Sequence, residues 1–208
     1  MQSAKDAYQR KDYAKAAEWF RKAAELGDAK GQYNLGVAYL EGQGVAKDHT
    51  EAAQWFRKAA NQGLAPAQNN LGFLYQRGQG VPEDPALATQ WFSKAAEQGY
   101  AQAQKNLGLA YRDGQGVKQD PAQAAQWLKK AAAQGDAEAQ TALSQLKETA
   151  KSAKKATKPA DTSKAAKPVA TKPVTKETKP ATETKPKATT TPPKPAEPAA
   201  KPPASVKH

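Results

Sequence analysis

Cysteine is absent from all 208 residues, which removes disulfides, thiolate metal sites and cysteine nucleophiles together. The redox compartment stays open, because a protein without cysteine survives in either. Histidine is nearly absent as well. His49 and His208 are the only two, too few for a histidine-based metal or acid–base site. No apolar run approaches the ~20 residues that span a bilayer, and Met1-Gln2-Ser3-Ala4-Lys5 is no secretory signal. As written, the sequence reads as a soluble cytoplasmic protein. The absences are also uneven along the chain: no Trp, Tyr, Phe or Gly occurs from residue 150 onward, whereas that stretch holds 11 of the 15 prolines and 14 lysines. A segment of this composition buries too little apolar surface to offset its chain entropy. The sequence therefore predicts a folded body over residues 1–149 and a disordered Lys/Pro/Ala/Thr-rich tail over 150–208.

The formal charge of +12 divides unequally at that boundary. The body carries 18 basic residues against 16 acidic ones, and the tail 14 lysines against 4 acids. A folded nucleic-acid-binding domain normally shows a basic face of its own, and the body's near balance argues against one. Lys-Pro, Thr-Lys-Pro and Lys-Pro-Ala recur without fixed period in the tail, which favours an extended chain of about 3.1 Å per residue. Two roles are open to it: a soluble spacer, or a weak, salt-sensitive contact with nucleic acid, anionic membrane or cell-wall polymer.

What the body does contain is a period. Trp19, Trp55, Trp91 and Trp127 are spaced by 36 residues, and Gly27, Gly63, Gly99 and Gly135 keep the same phase. So do Leu35, Leu71, Leu107 and Leu143, then Tyr39, Tyr75 and Tyr111, then three Gly-Gln-Gly-Val loops beginning at Gly42, Gly78 and Gly114. Each unit reads as two helices. In the second, Ala52, Trp55, Phe56 and Ala59 share one arc at 100° per residue, with Gln54, Arg57 and Asn61 opposite. Asp48, Asp84 and Asp120 suit the N-cap, Pro85 and Pro121 the first helical position, and the repeated Gly after the last turn a left-handed C-cap. The tryptophans fall on the apolar arc and are read as core rather than as a platform for bases.

In the first helix of each unit, Leu35, Gly36 and Tyr39 lie on the buried side. A helical glycine costs about 1 kcal/mol against alanine, and the sequence accepts this at Gly36, Gly72 and Gly108. The inference is close approach of a neighbouring helix, beneath the Trp or Tyr ring. In the last helix the equivalents are Ser144 and Lys147, as in a terminal capping repeat. The leading pair, 1–27, is atypical: Tyr8 to Asp12 is four positions where Tyr39 to Asp48 is nine, so five loop residues are missing. Its first helix also lacks its opening residues, which suggests an N-terminus trimmed of an export signal and makes a periplasmic or secreted location the alternative.

These residues resemble the Sel-like repeat (SLR) family, relatives of the tetratricopeptide repeat. Its pattern of Ala, Leu-Gly, Tyr, Gly-x-Gly-Val, Asp, Ala, Trp, Ala-Ala and Gly is matched in three full units, 28–63, 64–99 and 100–135, followed by a capping helix at 136–149. The resemblance implies an all-α fold, an α/α solenoid coiled as a right-handed superhelix of helix pairs. It also implies a concave surface that serves as adaptor or scaffold for other proteins, with no catalysis. A monomer with an unidentified protein partner and no cofactor is expected.

Rival chemistry finds little support. The Gly-Gln-Gly-Val loops lack the third glycine of a dinucleotide fingerprint and join two helices. The Ser144–Lys147 and Ser152–Lys155 matches to Ser-x-x-Lys lack their companion motifs. His49 stands where other units have Pro85 and Pro121. Binding residues are better sought where units differ, on the side of the first helices turned away from the Leu35–Tyr39 arc. That side offers Tyr33, Asn69 and Lys105; Asn34, Asn70 and Asn106; Val37, Phe73 and Leu109; and Arg112. The apolar residue recurring at Val37, Phe73 and Leu109 reads either as packing between first helices or as a ridge that receives a peptide or helix.

Overall fold

The computed structural model describes residues 2–156. The reading of residues beyond Ala156 as a disordered tail lies outside the described residues. Within them the chain forms α1 (Gln2–Gln9), α2 (Tyr13–Glu25), α3 (Ala29–Glu41), α4 (His49–Asn61), α5 (Ala65–Arg77), α6 (Pro85–Glu97), α7 (Ala101–Asp113), α8 (Pro121–Ala133) and α9 (Ala137–Ala156). Each helix packs on the next in sequence, and α7 also reaches α9. The result is an α/α solenoid of four helix pairs with α9 laid against the last. The final helix runs past the boundary read at residue 149. Residues 150–156 contain only Ala, Lys and Ser, of which Ala and Lys are strong helix formers, and the first residue barred from a helix interior is Pro159.

The helix ends follow the local chemistry. Asp48 accepts from the backbone N–H groups of Thr50 and Glu51 at 2.8 and 3.1 Å. Asp84 does so from Leu87 at 2.9 Å, and Asp120 from Ala122 and Gln123 at 2.9 and 3.0 Å. Pro85 and Pro121 each open their helix. Gly27, Gly63, Gly99 and Gly135 are left-handed, with φ between 85° and 91°.

The core is built from alanines and a few large side chains drawn from both helices of a pair. Phe56, Phe92 and Leu128 are fully buried, as are Leu35, Leu71 and Leu107. The residue beneath each of the former is the helical glycine. A Cβ on Gly36 would lie 2.8 Å from the Phe56 ring, on Gly72 2.8 Å from the Phe92 ring, and on Gly108 2.7 Å from Cγ of Leu128. The close approach is therefore present, but the side chain that causes it is the residue after the tryptophan. Both residues lie on the apolar arc, and the arc is wide enough to serve two contacts. Phe56, Phe92 and Leu128 turn toward the first helix of their own pair. Trp91 and Trp127, half-buried, pack on clusters built from the second helix of the preceding pair and the first helix of their own, and Trp19 is 40% exposed. The tryptophans seal joints between pairs; they do not form the centre of the core.

The loops explain another glycine. Gly44, Gly80 and Gly116 have φ of 75°, 70° and 69°, and a side chain on them would strike the backbone carbonyls of Tyr13, His49 and Pro85. These are the opening residues of the second helix one pair earlier, so each loop is clamped onto the preceding unit. Glycine is required there by both conformation and space.

Candidate functional site

The first helices α3, α5 and α7, with α9, share one side of the solenoid and are joined along it by side chains. Asn106 Nδ2 donates to Asn69 Oδ1 at 2.9 Å, linking α7 to α5. Lys105 Nζ donates to Glu138 Oε2 at 2.5 Å and lies 4.0 Å from Asp136, linking α7 to the N-terminus of α9. Gln76 Nε2 donates to Gln115 Oε1 at 2.7 Å. These bridges fix the spacing of the helices from one unit to the next.

Two depressions lie on this side. One, of about 660 Å³, is lined by Asn69, Asn70, Phe73, Lys105, Asn106 and Leu109 among others. Phe73 is 37% exposed, with the Arg77 guanidinium 4.8 Å from its ring centroid. Its lining mixes the amides of Asn70 and Asn106 with the apolar Leu40 and Leu109 and the charged Arg77, Asp113 and Glu138. Asn69 and Lys105 are only 5% and 7% exposed, so they brace the face more than they present a contact. The other depression, about 370 Å³, brings Tyr33, Asn34 and Val37 of α3 against the leading pair. Burial, and after it the neighbouring Tyr100, push the Tyr33 phenol above its ordinary pKa, against the hydrogen bond to Asn70.

Nine of the ten residues read from the sequence thus fall in two grooves of one face. Arg112 does not join them. It lines a separate hollow with Pro121 and Leu146, and its guanidinium is held by Asp113 through bonds of 2.7 and 2.9 Å, which keep it protonated. The aromatic wall supplied by Tyr8, Tyr13 and Phe20 was not legible, because the atypical leading pair has no second copy to compare.

Sequence reasoning also missed a buried polar stitch. Gln32, Gln68, Gln104 and Gln140 each donate Nε2 to the carbonyl of Ala24, Ala60, Ala96 and Ala132, at 3.2–3.4 Å. Gln62, Gln98 and Gln134 then donate to Oε1 of Gln32, Gln68 and Gln104, each at 2.8 Å. Both sets keep the 36-residue phase, and that phase was the available signal. Among the described residues no three His, Asp or Glu side chains converge to hold a metal, and no helix is long and apolar enough to cross a membrane.

An all-α solenoid of near-identical pairs, with grooves on its first-helix side, defines a helical repeat protein. The chain belongs to the Sel1 repeat family: residues 6–28, 29–64, 65–100 and 101–136 each match the Sel1 repeat, one residue later in phase than the units drawn above. Among solved structures it is similar to c5321, a protective antigen of uropathogenic Escherichia coli strains displaying an SLR fold. Identity is 44% and the TM-score 0.60, over 61% of this chain and 27% of that one. A Sel1 repeat protein from Oxalobacter formigenes gives 44% identity and a TM-score of 0.59, over 62% of this chain and 54% of that one. Helicobacter pylori cysteine-rich protein B gives 26% and 0.52, over 64% and 95%. The matches span about a quarter and about half of the first two relatives. No curated protein matches the chain.

Proposed function

We propose that the protein is a non-enzymatic scaffold that holds a segment of a protein partner on its first-helix side. The observation that carries this reading is Phe73. A large apolar ring stays 37% exposed in a groove also lined by Asn70 and Asn106, although the same sequence buries Phe56 and Phe92 completely. An apolar ring gives affinity, and amide groups in the same groove satisfy the backbone of a bound segment, the usual division of labour in a recognition groove. Sel1 repeat proteins commonly act as interaction scaffolds, which agrees with this reading.

The test is a pulldown with the full chain and with Phe73→Ala. Truncating a ring that lines the groove removes about 1–2 kcal/mol or more of contact, so capture of the partner is expected to drop by tenfold or more while helicity and melting midpoint hold. A variant that folds normally and binds every partner normally removes the groove from consideration.

A further inference from the structure

The leading pair departs from the repeat in a way that opens a second, chemically different site. Tyr8 aligns with Tyr39, so Ala4 stands where later units have Leu35, Leu71 and Leu107, and Lys5 where they have Gly36, Gly72 and Gly108. Helix α1 thus lacks the leucine that α3, α5 and α7 bury, and carries an exposed lysine where they have the glycine beneath the large side chain. The outcome is visible in burial: Phe20 is half-buried where Phe56 and Phe92 are fully covered. A cavity of about 370 Å³ remains between α1, α2 and α3, walled by the rings of Tyr8, Tyr13, Phe20 and Tyr33. Tyr8 and Tyr13 meet edge to face, centroids 5.3 Å apart at 74°.

The polar groups at its rim are unequal. Tyr8 donates its hydroxyl to Gln43 Oε1 at 3.0 Å, which takes up one of that oxygen's two lone pairs and leaves the Gln43 amide nitrogen to donate. Lys5, also at the rim, has three donors and no acceptor, and Asn34 adds a further amide. An apolar slot of aromatic rings edged mainly by hydrogen-bond donors complements a ligand that is apolar and offers only acceptors. A proline-rich segment has this chemistry. Its rings stack on aromatic walls, its backbone has carbonyls and no N–H, and in the polyproline II conformation those carbonyls point to solvent unpaired.

We propose that this aromatic cavity binds one or two prolines of an extended, proline-rich segment. The proposal deepens the reading of the first-helix side and rests on it, since Tyr33, Asn34 and Val37 belong to both.

A ten-residue polyproline peptide titrated into the full chain, followed by calorimetry, tests it. Saturable binding is expected, little changed between 50 and 300 mM salt because the peptide is uncharged along its length. Val37→Phe places in α3 the ring that α5 already accepts at Phe73. It is expected to fill the cavity and weaken the peptide by roughly tenfold or more, with helicity and melting midpoint retained. Tyr8→Ala, a change at a 43% exposed residue, is expected to weaken it comparably by removing one wall. No saturable binding, or binding that neither variant alters, overturns the proposal, as does equal affinity for a leucine-bearing helical peptide of the same length. Phe73→Ala separates the two readings. If it loses the protein partner while polyproline fails to bind the parent chain, the groove stands and the proline site falls; if polyproline binds and Phe73→Ala changes nothing, the reverse holds.

Discussion

Gly72 concentrates the logic of the repeat in one missing side chain. Its Cβ position lies 2.8 Å from the Phe92 ring and 3.0 Å from the Ala88 carbonyl oxygen, and Phe92 is itself 1% exposed, so the ring has nowhere to go. Gly72→Leu is expected to cost about 1–3 kcal/mol or more as overpacking, against a helix-propensity gain of about 1 kcal/mol. A lowered midpoint in thermal unfolding checks it, and an unchanged or raised midpoint would show that the two helices are not held in contact there. Tyr33 offers a second residue-scale test. Its phenol is raised above the ordinary value of 10.0, chiefly by burial, so the neutral form is favoured in the folded state. The stability it contributes is complete below pH 10 and drains as pH climbs through the raised value. In an alkaline absorbance titration a step above the ordinary phenol value is expected, and Tyr33→Phe is expected to abolish it. Glycine at 36-residue spacing made the close approach legible from sequence. The identity of the ring above it was not, because Trp and Phe at adjacent positions both lie on one apolar arc and only packing assigns each to its side.

Between elements, the polar stitch does what the apolar surfaces cannot. A core built largely of alanines offers little to fix register, whereas a buried amide has one satisfied position. Gln68 donates to the Ala60 carbonyl at 3.2 Å and accepts from Gln98 at 2.8 Å, while 5% exposed. Replacing it with Ala removes both bonds, but the Ala60 carbonyl keeps the Gly63 N–H and the Gln98 amide keeps the Lys94 carbonyl, so the cost expected is about 0.5–1.5 kcal/mol. Gln98→Ala, at an exposed residue, is expected to cost less. A double-mutant cycle on the pair should return a coupling of about 0.5–1.5 kcal/mol, read from denaturant midpoints, and strict additivity would deny the stitch any energetic role. The pairing of helices, their caps and their loops was legible in the sequence because each rests on a local rule repeated three times. The glutamine relay obeys the same phase yet was passed over, since Gln is common on helix surfaces and its burial depends on a neighbour 30 residues away. The site divides the same way. Val37, Phe73 and Leu109 were found from recurrence, but the aromatic cavity of the leading pair arises from residues that break the recurrence.

For the molecule as a whole, the excess charge and the apolar groove lie in different parts of the chain. Residues 157–208 hold 11 lysines against 4 acids, an excess of seven in a quarter of the length. The helical repeat carries its apolar groove and near-balanced charge separately. Binding through the lysines releases counterions, and the logarithm of the affinity then falls linearly with the logarithm of salt, with a slope near −0.9 per neutralised phosphate. If about five lysines engage double-stranded DNA, the affinity of the full chain is expected to fall several hundredfold between 50 and 200 mM salt. A chain ending at Ala156 is expected to bind DNA far more weakly at the lower salt and to show a shallower slope. Contacts on Phe73 are apolar and little screened at these ionic strengths, so capture of a protein partner is expected to survive both the salt and the truncation. Electrophoretic mobility shift across a salt series reads the first property and the pulldown reads the second, on the same two proteins. A salt slope that is unchanged by the truncation would place the anion contact on the helical repeat, where the outward lysines Lys22, Lys58, Lys94 and Lys130, each lying over the tryptophan three residues before it, would be the residues to replace next.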